Sequence, residues 1–227
     1  MHISYIPQWF DHVHKPICMP CWMTNPLYIL EKENKVLVIH TAIDLPVNIG
    51  AAIINEIVVF GRIKTLLYSL TDSSVAVIKS LLTQLGEVED LLKTNIRYSK
   101  DCLRLSNAVK AIEKAPLYIN DSQMGVADLI TDIHKVMNEV EAERKRYRIV
   151  VLDDILSLKG LILNGEINQA EVLLVGERLK QLSDKYKMSF IIMSRRPLIE
   201  IYPLRMIQKA YVTIEGKEYS IDTILVD

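Results

Sequence analysis

Strand-length apolar runs alternate with amphipathic stretches of helical spacing along this chain. That alternation predicts an α/β fold: a mostly parallel sheet with helices on both faces, finished by a C-terminal β-hairpin. Three observations carry the prediction. Runs such as Val36-Leu37-Val38-Ile39 and Ile149-Val150-Val151-Leu152 are apolar at every position, as strands buried on both faces must be. Between the runs, apolar residues recur at helical spacing, as in Val126, Leu129, Ile130, Ile133, Met137 and Val140. The last segment, Ala210 to Ile214 and Glu218 to Ile221 around Gly216, has the form of a hairpin with a glycine-containing turn.

The elements follow in order. Residues 1–34 hold Pro7, Pro16, Pro20 and Pro26 and both tryptophans, Trp9 and Trp22, and are read as a proline-rich arm rather than part of the layered domain. The domain then occupies 35–227. Strands are expected at 36–41, 63–69, 116–119, 148–153, 188–193 and 208–214, and helices at about 47–59, 73–84, 99–113, 124–146 and 167–186. In the last helix Val172, Val175, Leu179, Leu182 and Tyr186 form the apolar stripe.

Composition narrows the function classes. A length of 227 residues suits one domain with a small extension, and a 50% hydrophobic content supplies a core without staples. A formal net charge of -1 implies no broad basic footprint, so DNA binding is expected to be weak. Three cysteines make no disulfide framework and fit a reducing compartment. No signal-peptide pattern and no membrane-spanning apolar run is visible, so the expected location is the cytoplasm, away from any membrane.

The chemistry centres on two strand ends. Arg148-Ile149-Val150-Val151-Leu152-Asp153-Asp154 is a buried strand ending in acids, the form of a Walker B strand. Upstream, the strand at 36–40 runs into a helix beginning near Pro46. A phosphate-binding loop there would read G-x-x-x-x-G-K-[ST], because glycine backbone and a lysine must cradle the phosphates. The junction reads Thr41-Ala42-Ile43-Asp44-Leu45-Pro46-Val47-Asn48, with neither glycine nor lysine.

Four segments in order resemble the RecA-like C-terminal ATPase domain of replicative DNA helicases of the DnaB type. They are Lys64-Thr65-Leu66-Leu67-Tyr68-Ser69-Leu70-Thr71-Asp72-Ser73, Ala115-Pro116-Leu117-Tyr118-Ile119-Asn120-Asp121-Ser122, the Asp153 strand with Ile155-Leu156-Ser157-Leu158, and the run from Arg178 to Ser194. The proline-leucine-tyrosine-isoleucine match is the most specific, and the resemblance covers roughly residues 35–215. It implies a RecA-like, P-loop NTPase type of fold and an ancestor that works as a ring.

The resemblance also implies where the catalytic groups of the family would stand. Val47 takes the place of the phosphate-binding lysine and Asn48 that of the Mg²⁺-binding Ser/Thr. Thr71 takes the place of the catalytic glutamate, and Arg195 that of the switch glutamine after Ser194. Little chain follows the hairpin to supply the late arginine finger. Asp153 is the Walker B remnant. Pro46 removes a backbone donor from the loop, Val47 brings no charge, and Thr71 brings no carboxylate to polarise a water. Any nucleotide site would draw on Asp44, Pro46, Val47, Asn48, Asp153, Ser194 and Arg195.

Other clusters have sharp and plain readings. His12, His14, Cys18 and Cys21 form H-x-H-x3-C-x2-C, a ligand set for tetrahedral zinc; the reading adopted is a proline-rich arm without metal. Arg144, Lys145, Arg146 and Arg148 are the nucleic-acid candidates; the reading adopted is cations complementing a helix C-terminus. Arg195 and Arg196 are read as a solvated turn before Pro197. The apolar loop 160–163 is read as a partner-contact patch rather than a phosphate reader. His40 and His134 are read as structural.

The reading is therefore a non-catalytic homologue of a replicative helicase ATPase domain. It would act by association with itself or with a replication protein such as a helicase, in DNA replication or a mobile-element context, with no cofactor. One alternative is a functional helicase or ATPase of the family with an atypical site, which would take ATP and Mg²⁺. The other is a nucleic-acid-binding accessory protein.

Overall fold

The computed structural model describes residues 36–40, 49–86, 99–142, 147–194, 207–214 and 217–226. Their elements in chain order are β1 (Val36–His40), α1 (Ile49–Asn55) continued by a π-helical turn (Glu56–Phe60), β2 (Thr65–Ser69), α2 (Ser74–Gly86), α3 (Ser99–Glu113), β3 (Leu117–Asn120), α4 (Val126–Ala142) and β4 (Ile149–Asp153). A 3-10 turn (Ile155–Ser157), β5 (Ile162–Leu163), β6 (Glu166–Ile167), α5 (Gln169–Tyr186), β7 (Ser189–Ser194), β8 (Ile207–Ile214) and β9 (Lys217–Val226) complete them.

The main sheet has seven strands in the order β3-β2-β4-β7-β1-β9-β8. The first five run parallel: Thr65 pairs with Ile149, Val150 with Phe190, and Val36 with Phe190. The hairpin is not separate from this sheet, because β9 pairs antiparallel with β1, Val36 opposite Val226. The expected hairpin thus extends the sheet by two strands.

Strand periodicity divides the core in two. Leu66, Tyr68, Val150, Leu152, Phe190 and Ile192 point to one face, where Leu129, Ile133 and Met137 of α4 and Val172, Val175, Leu179 and Leu182 of α5 cover them. Leu67, Ile149, Val151, Ile191 and Met193 point to the other, where Ile53, Ile54, Ile57 and Val58 and then Val77 and Leu81 of α2 cover them. Ala111 and Ile112 of α3 pack against the same cluster. The faces of α4 and α5 are those read from the sequence.

Local chemistry sets the element ends. Asn168 caps α5 by accepting from the Glu171 N–H at 3.4 Å. The helix stops at Lys187, in the left-handed region at φ 54°, whose N–H donates to the Ser183 carbonyl. The Ser183 hydroxyl, buried, donates to the Met188 carbonyl at 2.7 Å and satisfies the return into β7.

The structure changes three expectations. The helix expected at 47–59 ends in a π turn, closed by the Gly61 N–H on the Glu56 carbonyl at 2.8 Å. A Cβ at Gly61 would lie 2.8 Å from the Ile57 carbonyl oxygen, so the chain needs glycine there. The helix expected at 124–146 starts at Val126 and runs to Ala142, and residues 143–146 lie outside the described residues. The loop at 160–163 is the first half of a small hairpin, β5 with β6, turning on Asn164 (φ 53°) and Gly165 (φ 84°). Asn-Gly favours this turn, since both residues must take positive φ.

Central burial has a measurable consequence. Leu152 is 0% exposed between β2 and β7, whereas Leu163 is 55% exposed at the small hairpin. Leu152→Ala is expected to lower the unfolding free energy by about 2–5 kcal/mol in urea titration. Leu163→Ala is expected to change it by no more than about 0.5 kcal/mol.

Candidate functional site

All five parallel strands end at one edge of the sheet, and there the connections diverge. The chain leaves β2 outward for β3 and leaves β4 in the opposite direction for β7. Likewise β1 leads toward β2 while its neighbour β7 leads toward the hairpin. Such divergences open crevices outside the carboxyl ends, where sheets of this kind hold ligands.

Ser69 and Asp153 are the final residues of β2 and β4 and lie opposite each other in register. Asp153 is half-buried, and its carbonyl accepts from the Leu70 N–H. The peptide bond from Asp153 to Asp154 is cis. Asp154 is buried, and its carboxylate accepts from the Leu156 N–H at 3.2 Å, starting the 3-10 turn. The second acid of the pair is therefore tied into the backbone, while the first stands at the crevice.

Beyond β2 the chain folds onto itself. The buried Ser69 hydroxyl donates to the Asp72 carbonyl at 2.7 Å. Thr71 is exposed, and its hydroxyl lies 3.5 Å from the Asp72 carboxylate. Asp121, just past β3, accepts from the Ser74 N–H at 2.6 Å and so closes the start of α2. That backbone hydrogen bond holds the Asp121 carboxyl below its ordinary range. Ser194 ends β7, fully buried, opposite His40 of β1.

The other predicted positions separate. Arg148 is exposed at the amino end of β4, the opposite end of that strand from Asp153. Lys64 sits there too, its ammonium 4.3 Å from the Tyr147 ring centroid. Arg148 thus does not join the crevice. Asp44, Pro46, Val47, Asn48 and Arg195 lie outside the described residues, as do His12, His14, Cys18, Cys21, Arg144, Lys145 and Arg146. Among the described residues no group of three or more His, Cys, Asp or Glu could hold a metal ion.

One polar cluster escaped the sequence reading. The fully buried Tyr68 donates to Asp132 Oδ2 at 2.9 Å, and Asn120 Nδ2 donates to the same oxygen at 3.0 Å. Burial first, and then the Asp132 charge, push the Tyr68 phenol far above its ordinary value, so it stays a proton donor. The three residues come from β2, β3 and α4 and tie the sheet to that helix. Their sequence separations are large, and only the apolar run around Tyr68 pointed to its burial. His134 of α4 makes a second link, its Nδ1 2.6 Å from the Tyr186 hydroxyl, which also donates to Asn138 Oδ1 at 3.3 Å.

A mostly parallel sheet flanked by helices, with an acid at the end of β4 beside β2, matches the RecA-like α/β fold. The DnaB-like helicase C-terminal domain model matches residues 46–197, well over half of the chain, and the chain belongs to that family. Two solved structures share the fold. One is a DnaB-like replicative helicase, described with its interactions with primase, at TM-score 0.59 and 14% identity over 86% of this chain and 55% of that one. The other is an ATPase domain, at TM-score 0.54 and 14% identity over 78% of this chain and 74% of that one. The chain thus spans about half the length of the first. No curated protein matches the chain by sequence.

The polar links generate two predictions. Asp132→Ala leaves the buried Tyr68 hydroxyl without its acceptor and is expected to cost about 1–3 kcal/mol in denaturant unfolding. Adding Tyr68→Phe to it should recover part of the loss. His134 has its pKa lowered, first by burial and then by Lys185. The unfolded chain binds this proton more readily, with a pKa of about 6.5. The stabilisation is therefore full above that pH and lost as pH falls through the depressed folded value. Thermal melts from neutral pH downward should show a shallower acid slope for His134→Gln than for the parent chain.

Proposed function

We propose that this chain is a non-catalytic homologue of the replicative helicase ATPase domain, a pseudoenzyme that acts by protein–protein association in the cytoplasm. The single observation that carries the reading is Thr71. It stands at the ligand edge, past the register pair Ser69 and Asp153, where the resemblance sets the catalytic glutamate. A threonine hydroxyl does not take a proton from water at neutral pH, so the position offers no general base. Asp72, next along, has its carbonyl held by Ser69 and its carboxylate facing Thr71.

The junction sequence supports the same reading. Pro46, Val47 and Asn48 give a degenerate Walker A loop with no cation and one fewer backbone donor. Asp153 alone is a weak Mg²⁺ ligand without an opposing Ser/Thr and phosphate oxygens. ATP and Mg²⁺ are accordingly not expected as cofactors, nor zinc on the N-terminal arm. The partner is the chain itself or a replication protein such as a helicase. An apolar contact is available at the β5–β6 hairpin, where Leu163 is exposed. Among the described residues no helix is long and apolar enough to cross a membrane.

Titration calorimetry with Mg-ATP and light scattering on the same protein test both halves of the reading. The expected results are no nucleotide heat and a mass above that of one chain. Micromolar ATP binding would return the chain to the working helicases. A strictly monomeric chain that also captures no partner would remove the association half.

A further inference from the structure

Between α4 and α5, on the outside of the layer they form, lies an open groove of about 270 Å³ lined by Ile130, His134, Arg178, Gln181, Leu182 and Lys185. Its floor is apolar, with Leu182 buried and Ile130 half-buried. Its rim is cationic. Arg178 and Lys185 are both exposed and stand two turns apart on one face of α5. Leu174, one turn before Arg178 on that face, is 39% exposed and continues the apolar line.

The nearby carboxylates do not neutralise this rim. Asp184 pairs with Lys180 at 3.5 Å, and Asp132 is turned inward to Tyr68 and Asn120. Among the described residues neither Arg178 nor Lys185 has a carboxylate partner, although Lys185 lies 4.8 Å from the Tyr186 ring centroid. The wall is fixed, since His134, Tyr186 and Asn138 are linked by hydrogen bonds.

We propose that this groove docks an acidic amphipathic helix of a partner protein. Its apolar side chains would lie along Ile130, Leu174 and Leu182, and its carboxylates against Arg178 and Lys185. A furrow between two helices accepts the ridge of a third, and apolar anchors at helical spacing are how such grooves are read. Charge complementarity sets the sign of the partner. Nucleic acid fits less well, because two cations over an aliphatic floor provide neither a phosphate track nor an aromatic platform for bases. The proposal rests on the association reading and deepens it by naming one surface and the chemistry of its partner.

The test uses the full chain and a fluorescein-labelled synthetic helix with leucines at i, i+3, i+4 and i+7 flanked by glutamates. Controls are the same peptide with lysines for the glutamates and a single-stranded oligonucleotide. Anisotropy should show micromolar binding of the acidic peptide, at least about tenfold tighter than the basic one. The double variant Arg178→Glu, Lys185→Glu should lose about tenfold for the acidic peptide and gain affinity for the basic one. Both positions are exposed, so the thermal melt should be unchanged; if it shifts, Arg178→Ala alone makes the comparison. No binding, equal binding of both peptides, indifference to charge reversal, or tighter oligonucleotide binding with the same dependence on Arg178 and Lys185 would each overturn the proposal. Light scattering separates the two readings: failed peptide binding by a self-associating chain refutes the groove alone, whereas a monomeric chain that binds neither the peptide nor a replication helicase refutes the association reading as well.

Discussion

Burial of the central strands on both faces is the constraint from which the rest of the structure follows. β4 lies between β2 and β7 in the sheet, and Ile149, Val150, Val151 and Leu152 are all fully buried. A strand in that position must be apolar at every residue and must have a helix layer above and below. Those layers can be supplied only by crossovers that return the chain in parallel. Parallel return gathers the carboxyl ends of the five parallel strands at one edge of the sheet. The crevice at Ser69, Asp153 and Ser194 is therefore a consequence of how β4 is buried, whatever the crevice holds.

This explains which parts of the molecule were legible in the sequence. The parallel strands announced themselves because burial on both faces leaves uninterrupted apolar runs, as in Leu66-Leu67-Tyr68 and Phe190-Ile191-Ile192-Met193. The helix faces were legible for the related reason that one stripe, such as Val172, Val175 and Leu179, must meet the sheet. The short hairpin at Ile162–Ile167 was passed over, although Asn164-Gly165 carries a hairpin signal. Its strands are two residues each, too short for any periodicity to register. The π turn at Glu56–Phe60 left no signal, because it depends on how Gly61 meets the carbonyls behind it.

The site was partly legible. Asp153 and Thr71 were placed at strand ends by the motif pattern, and the structure sets both at the same edge. The basic candidates divide: Arg148 stands at the amino end of its strand, which a linear reading of Arg144 to Arg148 could not separate from the carboxyl end. The Tyr68, Asn120 and Asp132 cluster was invisible for a different reason. Each residue is ordinary in its own segment, and only the fold brings a buried phenol, an amide and a carboxylate onto one oxygen. Long-range polar satisfaction is a property of the assembled core.

The core and the crevice are energetically separable, and this separation bears on how such a chain can persist. Most large buried side chains of the two clusters lie within the strands or on helix faces, and Leu70, Ile155, Leu156, Leu158 and Leu161 carry the first cluster past the strand ends. At the edge itself the polar interactions are short local links, Ser69 to Asp72 and Asp154 to Leu156, beside two long-range ones, Asp121 to Ser74 and Leu70 to Asp153. None of them needs a bound phosphate for its partner. Position 71 is exposed, so either a threonine or a carboxylate there leaves no buried group unsatisfied and costs the fold little. Substitution in the interior, by contrast, meets a close-packed core on both faces. Exposed positions at the edge therefore tolerate substitution more readily than the interior does. The helix surfaces, which depend on the interior for their spacing, persist with it. The core thus holds the spacing of α4 and α5, whereas exposed residues on their outer faces are as free to change as those at the carboxyl edge.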